Sequence, residues 1–159
     1  MPDVVTATGA KVYIAPSQTT APANAAAYAA LTWTEITLVR SIGPYGDEAS
    51  IINAPVLGDA RVRKAKGSRD AGNSELVVYP LATDAGQSAL IAAEATNFDY
   101  PIKVELPTKL AAAGTNGIDY FMAKVGSKRR TVGENDNVIT DTFSLPVVSA
   151  ITSVAPTAS

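Results

Sequence analysis

Nine of the 13 Lys and Arg side chains fall in two short stretches. The first holds Arg61, Arg63, Lys64, Lys66 and Arg69; the second holds Lys124, Lys128, Arg129 and Arg130. Such clusters can bind a polyanion, because each cation set on a phosphate releases a condensed counterion. They can also pair with carboxylates of another subunit, or form a solvated face. Two features weigh against direct nucleic-acid reading. No aromatic side chain is interleaved with the cations for base stacking, and the chain carries a formal net charge of −2. Over 60–67, strand alternation sends Arg61 and Arg63 one way and Lys64 and Lys66 the other. A strand with so little apolar surface of its own fits best where an edge or face meets another chain.

Other chemistry is sparse. The chain has no His and no Cys. That removes the commonest general base, the thiolate nucleophile, the disulfide and the Cys- or His-based metal site. Carboxylate, lysine or tyrosine catalysis stays open, but the carboxylates are scattered. Asp47–Glu48 lacks a second pair with supporting context, so a glycosidase arrangement is not expected. Glu134-Asn135-Asp136-Asn137 lacks the alternating ligands and distal Glu of a calcium loop and reads as a β-turn. No GxxxxGK or GxGxxG motif occurs. The reading is of a protein that is not an enzyme and uses no cofactor or metal.

The elements that must carry these residues are mostly strands. Val, Ile and Thr together number 41 of 159 residues, a β-leaning composition. In 34–42, Ile36, Leu38 and Ile42 share a face. In 102–106, Ile102, Val104 and Leu106 alternate with Lys103 and Glu105. In 137–147, Ile139, Phe143, Leu145 and Val147 oppose Thr140, Thr142 and Ser144. Residues 75–81 are apolar on both faces, which predicts a strand covered on both sides. Further strands are expected at 11–15, 48–54, 60–67 and 118–130, separated by Gly-, Pro-, Asn- and Asp-rich turns.

One helix is expected at about 84–96, capped by Asp84 with Gln87 completing a capping-box-like pair. Gly86, Ala89, Leu90 and Ala93 form its packing face. Ile91 falls on the other side, among Asp84, Gln87, Ser88 and Glu94, and is a candidate for burial by a neighbour. Residues 16–30 read as a long connection with at most a short helical turn, Asn24 being a cap for 25–31. Residues 1–10 and 150–159 read as flexible arms around a β domain spanning 11–149. MPDVVTATGA lacks a basic, then apolar leader pattern, and no run of about 18 uncharged apolar residues could span a bilayer. A cytosolic or virus-particle setting fits, and a leader already removed stays open. The fold class is mainly β: an antiparallel β-sandwich or open barrel with one packed α-helix.

The order of these features resembles the major tail tube proteins of long, non-contractile-tailed (siphovirus-type) bacteriophages and related prophages. The resemblance is carried by Gly9–Pro16, Tyr28–Ile36, Val39–Glu48, Val56–Ser68, Thr83–Gln87 and Tyr120–Val125, and spans about residues 9–150. It implies a structural virion protein, localised to the phage tail and to the host cytoplasm during assembly. Family members form rings, typically of six subunits, whose inner strands join into one barrel around a lumen. The rings stack on a tape-measure protein, end at a tail terminator, and conduct DNA without sequence-specific binding or membrane insertion of their own. On that reading the inter-subunit or inter-ring contacts are expected among Tyr45, Asp47, Glu48, Arg61, Arg63, Lys64, Lys66, Arg69, Ile91, Lys128, Arg129 and Arg130. The lumen of such tubes tends to be negative, which the cations of 61–69 would oppose if they faced it. The competing readings are a tail terminator or head–tail joining ring, and a nucleic-acid-binding module.

Overall fold

The computed structural model describes residues 4–158. Eleven strands and two helices follow in the order β1 (Lys11–Ile14), α1 (Ala25–Ala29), β2 (Thr34–Ile36), β3 (Val39–Ile42), β4 (Glu48–Ala54), β5 (Arg63–Asp70), β6 (Asn73–Val78), α2 (Ala85–Glu94), β7 (Tyr100–Leu106), β8 (Gly117–Ala123), β9 (Ser127–Thr131), β10 (Thr140–Pro146) and β11 (Thr152–Val154). They form a five-stranded sheet, β11-β8-β7-β1-β2, a four-stranded sheet, β3-β6-β10-β9, and a separate two-stranded hairpin, β4-β5. All the pairings are antiparallel.

The two larger sheets make a sandwich. Val12, Ile14, Ile102, Val104 and Phe121 from the five-stranded sheet meet Leu76, Val78, Phe143 and Leu145 from the four-stranded one in a single buried core. The expected alternation is present in β7 and, from Phe143 onward, in β10, where burying each such side chain contributes about 1.5–3 kcal/mol; Ile139, expected on the same inner face, precedes the strand and stays exposed, while Thr140, expected opposite it, is buried. The fold is mainly β, as the composition implied.

Helix α2 closes one side of the sandwich, packing against β1, β2 and β9. Leu90 and Ala93 join the core, and Gly86 lies against the Glu35 and Ile36 backbone, where a Cβ would collide. Asp84 caps the helix by accepting the Gln87 N–H at 2.9 Å. Gln87 itself departs from expectation: it is buried rather than on the outer side with Ile91. Its carboxamide donates to the Thr37 and Tyr79 carbonyls and accepts from the Leu81 N–H. A polar side chain is stable there because all three groups are backbone atoms left over where strands end.

Two expected strands divide and a third is shifted. The 34–42 run breaks after Ile36, and its halves enter different sheets. Leu38 adopts φ 56° at the break and is half exposed rather than in line with Ile36 and Ile42. That left-handed backbone is held by Asp84 accepting the Thr37 N–H and by the Tyr79 N–H bonding the Leu38 carbonyl. The 118–130 run likewise splits at Lys124–Gly126 into β8 and β9, one in each sheet. The 60–67 strand begins only at Arg63 and runs to Asp70, leaving Arg61 in the turn.

Helix α1 has the Asn24 cap expected of it, Asn24 Oδ1 accepting the Ala27 N–H at 2.9 Å. It covers part of the outer face of the five-stranded sheet. Tyr28 stacks on Tyr120 with ring centroids 5.1 Å apart, and Trp33 tilts against the same ring at 5.8 Å. The expected C-terminal arm, 150–159, carries β11, which pairs with β8. Of the expected N-terminal arm, residues 1–3 lie outside the described residues, and 4–10 form no strand.

Candidate assembly surfaces

The β4–β5 hairpin carries the first basic cluster. Its strands contact chiefly each other rather than the sandwich. A register shift between Ala49 and Ile51 sets Gly67 and Ser68 as a bulge in β5. Beyond it, Lys64 and Lys66 share a face with Ile51 and Asn53, and Arg63 shares the other with Ile52 and Ala54. The expected alternation of Arg63 against Lys64 and Lys66 therefore holds within the strand. Ile51 and Ile52 are each 54% exposed, on opposite faces, and Leu57 at the tip is fully exposed. A lone two-stranded ribbon with an unburied Ile on each face has no core of its own.

The cations divide by partner. Arg63 binds Asp59 at 2.8 Å, and Arg69 approaches Asp47 at 3.8 Å at the hairpin root. Glu48 opens β4, opposite Asp70. Arg61, Lys64 and Lys66 make no ion pair with any described residue.

The second cluster behaves differently. Strand β9 is an edge of the four-stranded sheet, and its register with β10 sets Arg130 beside Asp141, Arg129 beside Thr142 and Lys128 beside Phe143. Lys128 and Arg130 thus turn toward the core side. Arg130 donates to both oxygens of the buried Asp141 at 2.8 and 3.1 Å, and Lys128 lies 3.9 Å away. The Arg130 hydrogen bonds, aided by the two cationic charges, hold the Asp141 carboxyl below its ordinary value of 3.8 against the opposing effect of burial. Lys124 pairs with Asp99 at 2.6 Å. Only Arg129 of this cluster points to the outer face without an ion pair among the described residues. A visible signal for Asp141 existed in the sequence: it shares parity with Phe143 and Leu145, and a carboxylate on an apolar face needs a cation.

Tyr45 is committed within the chain. Its hydroxyl donates to Asp119 Oδ2 at 2.6 Å, and its ring packs on Phe121. Burial, then the Asp119 contact, pushes the phenol well above its usual range, so it stays a donor. Ser153 of β11 donates to the other Asp119 oxygen at 2.7 Å. One carboxylate therefore ties the hairpin root to the C-terminal strand, a link with no local sequence signal. Ile91 is 45% exposed on α2, free for a neighbour.

The outer face of the four-stranded sheet is uncovered. It presents Ser127 and Arg129 from β9, Thr142 and Ser144 from β10, and Glu75 and Val77 from β6. These are mostly short hydroxylated side chains with one charge of each sign, to which β3 adds Ser41 opposite Val77 and the exposed Arg40 at its bulge, in contrast with the aromatic cover over the five-stranded sheet. Its two edges, β3 and β9, have no strand partner beyond them. The Glu134–Asn137 segment is a turn, the Asn137 N–H bonding the Glu134 carbonyl at 3.0 Å.

No protein-family model matches the sequence, and no curated protein matches it. Solved structures do match in fold. A subunit of the SPP1 tail tube superposes with a TM-score of 0.65 at 14% identity, over 96% of this chain and 80% of that one. A chain of the anti-feeding prophage (AFP) baseplate superposes with a TM-score of 0.68 at 8% identity, over 98% and 97%. At such identities the likeness is one of architecture, to a tail-tube subunit in one case and a baseplate chain in the other, structural proteins rather than enzymes. The chain therefore has the fold of a phage tail-tube protein.

Proposed function

We propose that this protein is a self-assembling subunit of a phage tail tube, a structural protein whose rings stack into a conduit for DNA. The single observation that carries the reading is the β4–β5 hairpin, an apolar and basic ribbon that its own monomer leaves bare, set on a tube-protein fold. Ring closure follows by pairing β9 of one subunit with β3 of the next. That heterologous contact closes six-fold in the proposed ring and removes both free edges. The inward-turned Lys128 and Arg130 and the irregular β3 register discourage indiscriminate pairing at those edges.

On this reading the hydroxylated face of the four-stranded sheet lines the lumen. Glu75 offsets one of the two cations there, Arg129 and the Arg40 of the β3 bulge, so a polyanion meets a net charge of about one on each subunit. The cations of 61–69 sit on the hairpin instead of that sheet, which supports placing them outside the lumen. The tape-measure protein and terminator are the further partners, in the virion tail and, before it, in the host cytoplasm.

Negative-stain electron microscopy of the purified protein tests the reading. Rings and stacked tubes are the expected result. Closed single rings that never stack would favour a terminator or joining ring. A monomer at every concentration, alone or with tape-measure protein, would overturn self-assembly. Tight DNA binding whose affinity falls steeply with salt would favour a nucleic-acid module instead.

A further inference from the structure

We propose that the Asn116–Gly117 pair is a site of spontaneous backbone modification that the folded chain holds shut, with the C-terminal segment as its cover. The inference is independent of the tube reading. The chemistry is that of an Asn followed by Gly. Gly has no Cβ, so its backbone nitrogen reaches the preceding carboxamide carbon without a side chain in the way. The Gly117 nitrogen loses its proton and bonds to Asn116 Cγ. The Cγ–Nδ2 bond then breaks, and ammonia leaves with that proton. Water opens the resulting succinimide at either carbonyl, which yields Asp or isoaspartate. Water is the only co-reactant.

The fold needs both residues and blocks their reaction. Gly117 opens β8, and a Cβ there would stand 2.8 Å from Thr108 Oγ1. A side chain at 117 would displace Thr108 and lose the bond it makes. Three hydrogen bonds hold the reacting atoms. The Gly117 N–H donates to Thr108 Oγ1 at 3.0 Å, which ties up the proton that must leave. Asn116 Nδ2 donates to Glu105 Oε1 at 3.0 Å, which anchors the leaving nitrogen. Asn116 Oδ1 accepts the Lys109 N–H at 3.2 Å, which fixes the carboxamide plane. The C-terminal segment lies over this loop. The Thr157 N–H bonds the Thr115 carbonyl at 3.1 Å, and Thr157 Oγ1 accepts the Thr115 N–H at 3.1 Å. Gly114 sits so close beneath Thr157 and Ala158 that a Cβ would collide. Strand β11 pairs with β8 directly after Gly117, Val154 beside Ile118.

Reaction and cover are therefore coupled. When β11 and the residues after it come away, the 108–117 loop loses the bonds that brace it, and the pair is free to cyclise. Conversion replaces an amide donor with a carboxylate against Glu105, which also accepts the Tyr13 hydroxyl at 3.2 Å. Isoaspartate further adds a methylene to the backbone where β8 begins to pair with β7, Gly117 beside Leu106. Like charge and altered backbone both oppose reclosure. The pair thus records, irreversibly, that the C-terminal strand has been released.

Mass spectrometry of the full chain tests this on the tryptic peptide Leu110–Lys124, which contains one Asn and no Gln. The product is heavier by the exchange of NH2 for OH, and isoaspartate separates from Asp on reversed-phase elution. In mildly alkaline buffer the folded chain should convert about a hundredfold more slowly than the same chain unfolded in guanidinium, the factor that three modest hydrogen bonds supply. Thr108→Val removes the acceptor of the Gly117 N–H, and Thr157→Val removes the acceptor of the Thr115 N–H. Each should speed conversion of the folded chain by about tenfold. Guanidinium titration confirms that each variant is folded, and if one is not, the other decides. Asn116→Asp mimics the product and should speed hydrogen exchange of the β11 amides by about tenfold. The inference falls if folded and unfolded chains convert at one rate, or if the folded valine variants keep the wild-type rate. Wild-type β11 exchange in Asn116→Asp would sever the modification from its cover. None of these outcomes bears on the tube reading, which electron microscopy tests separately.

Discussion

In the four-stranded sheet, every second residue of β10 from Asp141 to Leu145 disappears into the core. In the β4–β5 hairpin, Ile51 and Ile52 point to opposite faces and both stay half exposed. The two regions share antiparallel pairing and each carries large apolar side chains, Phe143 and Leu145 in one and Ile51 and Ile52 in the other, although β5 itself is mostly charged. They differ in whether the chain supplies a second layer. The sandwich has facing sheets and α2; the hairpin has only itself. Layering, not strand propensity, separates a region that folds alone from one that waits for a partner.

The strongest way to break this contrast is Leu90→Asp. Leu90 is fully buried between the sheets, and an unpaired charge there should cost about 3–5 kcal/mol. Against a typical total of roughly 5–15 kcal/mol, that is a large share of the stability, and urea titration should show a strongly lowered midpoint. A wild-type midpoint would mean that α2 is not part of the core.

A smaller loss is expected for Asp141→Asn, about 1–3 kcal/mol, as charge-assisted bonds from Arg130 weaken. The pH dependence carries its own sign. Asp141 has a depressed carboxyl value in the folded state, so its contribution is complete above 3.8 and disappears as pH falls from there through the folded value. The Asn variant should therefore lose less stability than wild type between about pH 5 and pH 2. Parallel curves would place Asp141 outside the acid limb.

Tyr45→Phe should cost about 1 kcal/mol by leaving Asp119 with one donor fewer. Its sharper signature is local: amides of β11 should exchange faster, since Ser153 shares that carboxylate. Unchanged β11 protection would dissolve the proposed tie between hairpin root and C-terminal strand.

The smallest effect on the monomer tests the other side of the comparison. Ile51→Ser with Ile52→Ser should shift stability by no more than about 0.5 kcal/mol, as for ordinary surface positions, while sedimentation shows assembly lost. Ile91→Asp should likewise spare the fold, and should weaken assembly only where α2 meets a neighbour. A clear drop in the monomer midpoint for the hairpin pair would show that the ribbon packs on its own sandwich.

Much of the architecture was legible in residue order. Alternation named Ile102 and Val104 in β7 and Phe143 and Leu145 in β10 as buried, because a half-covered strand writes its two faces at period two, but it failed at Ile139, which lies before the strand begins. Asp84 and Asn24 marked both helix starts, because unsatisfied N–H groups need a nearby acceptor. The breaks at Leu38 and at Lys124–Gly126 were not legible. A strand that crosses between sheets keeps a continuous apolar pattern, and its kink is held by distant groups, Asp84 and Tyr79 in the first case. Gln87 was misplaced for the same reason, since its three partners are brought together only by folding.

The basic clusters show the division most clearly. The sequence alone determined that the cations are segregated, that no catalytic histidine or cysteine exists, and that 60–67 has too little apolar surface to bury itself. These follow from composition and local spacing. Only the tertiary structure decided that the clusters have different fates. Pairing with β10, itself covered by the facing sheet, turns Lys128 and Arg130 onto a buried carboxylate, whereas the hairpin meets no second layer and leaves Arg61, Lys64 and Lys66 unpaired among the described residues. Charge is written in the chain, but whether a charge is neutralised depends on what folding brings within a few ångströms of it.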